Sequence, residues 1–380
     1  MSTSMDRFIM GHARGDDWST VANACADQLG DVPDEANLGF VYVTDSLAGD
    51  LDKITATLVQ RSGIADWVGT TGIGICATGQ EYFGEPAVAA MAGQFPADSF
   101  RTFDDMGGST ADFAETWRDW LDASEARFGI IHADPRHPRT VDLVPELAAA
   151  AECFLVGGLI SSRGEYAHVA GARVAGSDGQ SPLSGVMFQA DVPVATALSQ
   201  GCSPIGPTHE VTMSRDNLVY KLDGRAALDV FKEDVGPELA ANLHGIGQHI
   251  FAGFPLRGSD RADYTVRNLL GMDMSTGIIA IGAEIEDGQE IMFCRRDRAS
   301  AEADLDRMLA DLKRRAGDNP RGGVYFSCLG RGPNTFGEQS AELMRIRAAL
   351  GDVPLVGFFC NGEISHDRLY AYTGVLSLFL

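Results

Sequence analysis

The sequence predicts an α/β protein with mixed sheets and covering helices, in which repeated β-α-β-β units form two pseudo-duplicated domains. Three observations carry this prediction. Short β-rich runs alternate with amphipathic helical patterns along the chain. Several of those runs are continuously apolar, as strands buried between helix layers are. The dipeptide Val-Gly recurs in the strand after the helix, as Val68-Gly69, Val156-Gly157 and Val356-Gly357. The spacing between units is irregular, which points to duplication within a globular fold and away from a solenoid.

The elements follow in order. Residues 1–16 are polar and read as a loose end. Ser19 reads as the N-cap of a helix carrying Val21, Cys25 and Leu29 on one side. In the first unit, a strand at 38–43 leads into a helix with Leu51, Ile54 and Leu58 on one face. A strand through Trp67-Val68-Gly69, the run 72–75 and a third apolar run at 86–93 complete it. Ser109 or Thr110 then caps a helix with Phe113, Trp117 and Trp120 inward.

The second unit has a strand at 128–132, a helix marked by Val144, Leu147 and Ala148 despite Pro145, and strands at 154–160 and 184–188. A rigid Gly/Pro loop covers 201–207. Beyond it lie strands at 210–212 and 217–222, a helix from 225, a hairpin of 278–283 with 290–294 and a charged helix at 300–315. The third unit ends the chain, with strands at 323–328, 355–360 and 372–379 and a helix carrying Leu343, Ile346 and Leu350. This organisation divides the sequence into an N-terminal segment and helix (1–35), a first domain (36–218) and a second domain (219–380).

Composition bounds the function. Lys and Arg number 30 against 53 Asp and Glu, a net charge of -23 that repels nucleic acid and anionic lipid. Mean hydropathy is -0.04, and no apolar run approaches the ~18 residues of a membrane span. The N-terminus has no signal-peptide core, so the expected location is the cytoplasm. Seven cysteines, an odd number, form no CxxC pair, which excludes a zinc knuckle and a thioredoxin motif and suggests reduced thiols. Phosphate-binding glycine loops, the GxSxG elbow and HExxH are missing, which disfavours nucleotide-hydrolysing and zinc-protease chemistry.

Candidate site residues gather at strand ends, where α/β sheets build sites. Cys328, Arg331 and Gly332 follow one strand; backbone N–H groups and an Arg fork there suit an anion or carboxylate, against the plainer reading of a glycine turn with a surface Arg. Cys360, Asn361, Gly362 and Glu363 follow the next strand and present a thiol and a carboxyl; the plain alternative is a tight turn with a solvated Glu. Gly164-Glu165 and Gly84-Glu85 echo that Gly-Glu in the other units. Cys328 or Cys360 with His366 has the ingredients of a thiol nucleophile, hence a cysteine-dependent hydrolase or transferase. Arg267 and Asn268 interrupt a strand-like run, where an internal ion pair competes with a ligand's acid group. His209, His244 and His249 are candidate haem axial ligands, each set against ordinary polar surface.

With these residues assembled, the chain resembles the FIST family of paired N- and C-terminal sensory domains, from about residue 38 to 379. The resemblance rests on VGTTGIG (68–74), QGCSPIGP (200–207), the YKLDGRAAL run (220–228), YTVRNLLGMD (264–273), FSCLGRG (326–332) and PLVGFFCNGEI (354–364). It implies an intracellular ligand-binding sensor, and the ligand expected here is a small polar one such as an amino acid or similar metabolite. It also brings in haem, since some members bind haem and sense nitric oxide. These 380 residues hold no output module and no F-box segment. The expected partner is therefore a separate signalling protein such as a histidine kinase or cyclase, with the ligand in a cleft between the halves. Arg331, Arg267 and the Asn361-Gly362-Glu363 turn would contact it.

Overall fold

The computed structural model describes residues 7–104, 109–123, 127–171, 173–175, 181–241, 243, 246–256 and 264–380. The chain forms two compact units. The first comprises residues up to 199 together with 305–369 and 373–380, and the second comprises 200–304 with 370–372. The sequence division at 218 is therefore not the spatial one: the third β-α-β repeat folds into the same unit as the other two.

Each repeat is a parallel strand pair with a helical crossover. The pairs are Leu38–Thr44 with Asp66–Gly72, Phe128–Ala133 with Phe154–Leu159, and Gly322–Cys328 with Leu355–Cys360. The crossovers contain the helices Leu51–Ser62, Thr140–Ala150 and Ala341–Leu350. Register explains the recurring Val-Gly. Gly69 lies opposite Val41, Gly157 opposite Ile131 and Gly357 opposite Tyr325. A β-carbon at these glycines would sit 1.6, 1.8 and 1.8 Å from the facing carbonyl oxygens. Only glycine lets the paired strands come so close.

An antiparallel strand then flanks each first strand: Ala87–Gly93, Leu183–Phe188 and Thr373–Phe379. The outer partner of each second strand comes from a different repeat. Gly74–Ala77, which continues the first repeat, pairs with Leu355–Cys360 of the third. His168–Gly171, after the second, pairs with Asp66–Gly72 of the first. Glu363–His366, after the third, pairs with Phe154–Leu159 of the second. The three repeats thus exchange strands in a closed cycle, and each six-stranded sheet of this unit is completed by another repeat.

The inner faces of the three sheets share one core. Phe40, Ile130 and Val324 occupy equivalent inward positions in it. The next inward positions hold Tyr42, His132 and Phe326, whose rings meet at 5.5 Å (Tyr42–His132), 6.3 Å (Tyr42–Phe326) and 6.3 Å (His132–Phe326). Each buried aromatic contributes roughly 1.5–3 kcal/mol by area alone.

Three local expectations are corrected. Ile9–Arg14 is an edge strand beside Ala87–Gly93, not a loose end, because tertiary pairing overrides its polar composition. Asp17, not Ser19, caps the first helix, accepting from the backbone of Ser19 and Thr20. The segments 278–283 and 290–294 do not pair with each other. Ile278–Ile281 lies between Leu218–Leu222 and Tyr264–Asp273, whereas Glu290–Arg296 pairs with Ile250–Pro255. These strands belong to the antiparallel eight-stranded sheet of the second unit, covered by a helix at 227–240 that breaks at Gly236. No helix among the described residues is long and apolar enough to cross a membrane.

Candidate functional site

The outer faces of the three repeats differ in a way that marks a site. In the first, Val41 and Val43 pack under the helix with Leu51, Ile54 and Leu58. In the second, Ile131 and Ala133 meet Leu143 and Leu147. The equivalent positions of the third repeat are Tyr325 and Ser327, and its helix turns Glu342 inward. Glu342 Oε1 accepts from Tyr325 OH at 2.6 Å and Arg331 Nε at 2.7 Å, and Oε2 accepts from Gly332 N at 2.9 Å. Ser327 Oγ lies 3.3 Å from both oxygens. Arg331 is 1% exposed and Glu342 0%. The guanidinium also reaches Ser199 and lies 4.9 Å from the Phe336 ring centre. Burial opposes its charge, yet Glu342 holds its pKa above the ordinary arginine value. A charged cluster has replaced an apolar core, at a desolvation cost that two identical scaffolds in the same unit avoid.

Two further carboxyls border this cluster. Glu81 Oε1 accepts from Leu343 N at 3.2 Å, while Oε2 is buried without a partner. Burial, reinforced by the Glu342 charge, pushes the Glu81 pKa up to about 8. Glu363 Oε2 accepts from Thr373 N at 3.0 Å and Thr373 Oγ1 at 2.8 Å. Its Oε1 accepts from no nitrogen or hydroxyl; the Cys328 thiol is the neighbour bearing on this carboxyl. Burial pushes the Glu363 pKa up to about 8 against the pull of Thr373 and Arg331. Burial thus favours the protonated form of both carboxyls beside the Arg331–Glu342 pair.

The structure brings together seven of the nine residues singled out in the sequence. Cys328 and Cys360 are in register at the ends of the parallel pair, and Cys360 Sγ donates to Ser327 O at 3.4 Å. Gly362 has a φ of 154°, and Glu363 opens the exchanged strand opposite Gly158. Asn361 alone of the seven is exposed. The setting differs from the expected ligand fork: Arg331 is enclosed, and a short 3-10 turn, Gly332–Asn334, follows it. Arg267 and Asn268 lie in the second unit, where Arg267 Nη1 donates to Val266 O at 2.9 Å and Asn268 Oδ1 accepts from Tyr372 OH at 2.9 Å. The three Gly-Glu pairs are not equivalent. Glu363 starts a strand, Glu165 lies in the link before His168–Gly171, and Glu85 lies between Gln80–Phe83 and Ala87–Gly93.

Beside the buried cluster, the first unit carries a polar cleft of about 470 Å³ lined by His12, Thr78, Gln80, Arg347, Asp352 and Met10. His12 Nδ1 lies 2.5 Å from Tyr82 OH, and burial lowers the imidazole pKa. Arg347 Nε donates to Asp352 Oδ1 at 2.6 Å. The cleft and the cluster share two elements. Gln80 faces the cleft while its neighbour Glu81 borders the cluster. On the helix Ala341–Leu350, Arg347 lies one turn beyond Leu343, whose N–H holds Glu81. Sequence reading missed His12, Gln80, Glu81 and Glu342. The one available signal was Glu342 at an inward helical position, and it looks like an ordinary solvated glutamate.

Comparison with known proteins decides the family. The FIST N domain model matches residues 37–225 and the FIST C domain model matches 227–366. The chain belongs to the FIST family. FIST domains are sensory domains. An uncharacterized protein of Mycobacterium tuberculosis is 34% identical over 197 residues, 49% of this chain and 50% of that protein. An uncharacterized protein of Mycobacterium bovis is 34% identical over 191 residues, 48% of this chain and 50% of its own length. This FIST chain spans about half the length of the curated relatives it matches.

Two readings attached to FIST membership or to the thiols find little in the geometry. His209 has both ring nitrogens engaged, Nδ1 with Asp223 at 2.6 Å and Nε2 with Asp234 at 2.9 Å. His249 is exposed, and His244 lies outside the described residues. No described histidine lines the apolar cavity of about 530 Å³ in the second unit. His209, with both ring nitrogens held by carboxylates, therefore does not fit a haem ligand. The thiols of Cys328 and Cys360 are buried, and burial raises Cys360 well above its usual pKa, opposite to what a thiolate nucleophile needs. His366 is exposed and stacks on Phe154 with ring centres 5.2 Å apart.

Proposed function

We propose that this FIST protein is a sensor that takes a small zwitterionic ligand, an amino acid or a close analogue, in the cleft of His12, Arg347 and Asp352. The observation that carries this reading is the shared wall between cleft and buried cluster. Gln80 and Arg347 face a prospective ligand, while Glu81 and Leu343 on the same elements hold the network of Glu342 and Arg331. The Arg347–Asp352 pair is exposed, and such pairs contribute about 0–1 kcal/mol. A ligand carboxylate on Arg347 and a ligand ammonium near Asp352 would replace that pair at little cost. Displacement of Arg347 moves its helix turn and so the buried carboxyls, which is a change a separate signalling partner can read.

Titration calorimetry with a panel of amino acids tests this. One class is expected to bind, and Arg347→Ala and Asp352→Asn are each expected to weaken binding by about tenfold or more. No heat from any amino acid, or binding indifferent to both substitutions, sinks the assignment.

A further inference from the structure

The cleft of the first unit holds a pair of side chains to which the sensor reading gives no role. His12 lines the cleft from the strand Ile9–Arg14. Tyr82 stands on Gln80–Phe83, a strand of a different sheet, and is only 7% exposed. Its ring packs into the shared core, which fixes where its hydroxyl sits. That hydroxyl lies 2.5 Å from His12 Nδ1, with the two ring centres 5.7 Å apart. His12 N donates to Gln28 Oε1 at 3.2 Å, which ties the strand to the helix Trp18–Leu29. With Nδ1 engaged by Tyr82, Nε2 is the ring nitrogen left for a ligand. Burial lowers the imidazole pKa and raises that of the phenol, so the ring is neutral and Tyr82 keeps its proton. When Tyr82 donates to Nδ1, the single ring proton stands on Nε2 and offers the cleft an N–H donor.

We propose that Tyr82 is a positioning residue for the cleft, holding His12 so that Nε2–H meets the ligand carboxylate beside Arg347, and that this carboxylate draws a second proton onto the ring. The inference rests on the amino-acid reading of the cleft. A negative charge brought against a half-buried imidazole favours the imidazolium. The added proton comes from solvent and goes to Nδ1, whose N–H then donates to the Tyr82 oxygen while Nε2–H stays on the carboxylate. The ligand ammonium goes to Asp352, so the carboxylate is the charge that His12 meets. Several other groups bear on the ring. Arg347 opposes its charge and Asp352 favours it. Arg14 and Glu85, both acting on Tyr82, are paired with each other at 3.2 Å. Cys25, on the helix behind, has its thiol pushed up to about 12 by burial and adds no charge. Binding is therefore tighter where the proton is available and weakens as pH rises through the midpoint of the bound form.

Calorimetric titration of the full chain with each protein amino acid in turn, in phosphate and in Tris at one pH, counts the protons exchanged. An amino acid that binds is expected to take up a fraction of a proton at neutral pH. Its affinity is expected to fall about fivefold or more between pH 5 and pH 8. His12→Gln keeps a donor without a titrating ring, so it is expected to bind more weakly, with no proton uptake and a flat pH profile. Tyr82→Phe is expected to weaken binding about fivefold in the wild-type background and less than about twofold in His12→Gln, where no imidazole remains to be held. The His12→Gln comparison stands whether or not Tyr82→Phe folds. Binding without proton uptake, a pH profile retained in His12→Gln, or an equal Tyr82→Phe loss in both backgrounds overturns this inference and leaves the cleft assignment in place. No binding by any amino acid removes the cleft assignment and this inference with it.

Discussion

Tyr325 donates to Glu342 across 2.6 Å at the position where the other two repeats place Val41 and Ile131 against apolar helix faces. The three repeats thus share a backbone plan and differ in what lies beneath the helix. Removing one member of a buried charge pair leaves the other uncompensated. Glu342→Ala is expected to lower stability by about 3–5 kcal/mol, whereas Glu342→Leu combined with Arg331→Met is expected to recover most of that loss. Urea unfolding of the single and double variants checks this. Equal losses in both would show that the charges are not coupled.

The pH dependence of stability should have two limbs. Glu81 and Glu363 have folded pKa values of about 8, raised from 4.5. Their contribution is complete below 4.5 and is lost as pH rises through about 8, because ionisation in the unfolded chain is then favoured. Glu363→Gln is expected to flatten the alkaline limb of a stability profile measured by chemical denaturation; an unchanged slope would contradict the raised value.

His132 and His168 supply the acid limb. Burial lowers their pKa values from 6.5 to about 3 and about 4. Both stay neutral in the fold, so stability is lost as pH falls below 6.5 toward those values. His168 Nδ1 lies 2.5 Å from Ser184 Oγ, and His168 Nε2 and His132 Nδ1 are buried without partners. His168→Gln is expected to reduce the loss between neutrality and mild acid, read by the same denaturation series.

The Val-Gly glycines admit no side chain. Gly69→Ala, Gly157→Ala and Gly357→Ala each drive a methyl into a facing carbonyl, and each is expected to cost about 3 kcal/mol or more. Gly164 has nothing within 4 Å of a β-carbon and serves as the control. Its alanine variant is expected to stay within about 0.5 kcal/mol of wild type. Thermal melts of the four proteins decide this, and a wild-type melt for Gly357→Ala would refute the close-approach reading.

What was legible in the sequence was what local pattern encodes. The continuous apolar strands, the helix stripes and the triple Val-Gly all describe pairing within one repeat, and the parallel registers account for them. The exchanged strands were not legible. Gly74–Ala77 pairs with Leu355–Cys360 at the other end of the chain, and nothing in the period of either strand names its neighbour. The site was legible in part. Cys328, Arg331 and Glu363 stood out because they follow strand ends, yet strand ends in this fold are where exchange links cross. Ser161 Oγ bonds both Phe359 O at 2.5 Å and Ile73 N at 2.9 Å there. Polar residues at such a crossing serve the backbone as readily as a ligand, so position alone could not separate the two uses.

The cyclic exchange has a consequence for biosynthesis. As the chain leaves the ribosome, the strand Gly74–Ala77 emerges long before its partner Leu355–Cys360. Until then the first repeat has no acceptor for that strand, and the second repeat waits for Glu363–His366 to close its own sheet. Nascent intermediates therefore carry bare sheet edges for most of translation, a state that favours mispairing. Folding dominated by such distant contacts is slow, and a product truncated before Leu355 would leave the sheets of the second and third repeats incomplete.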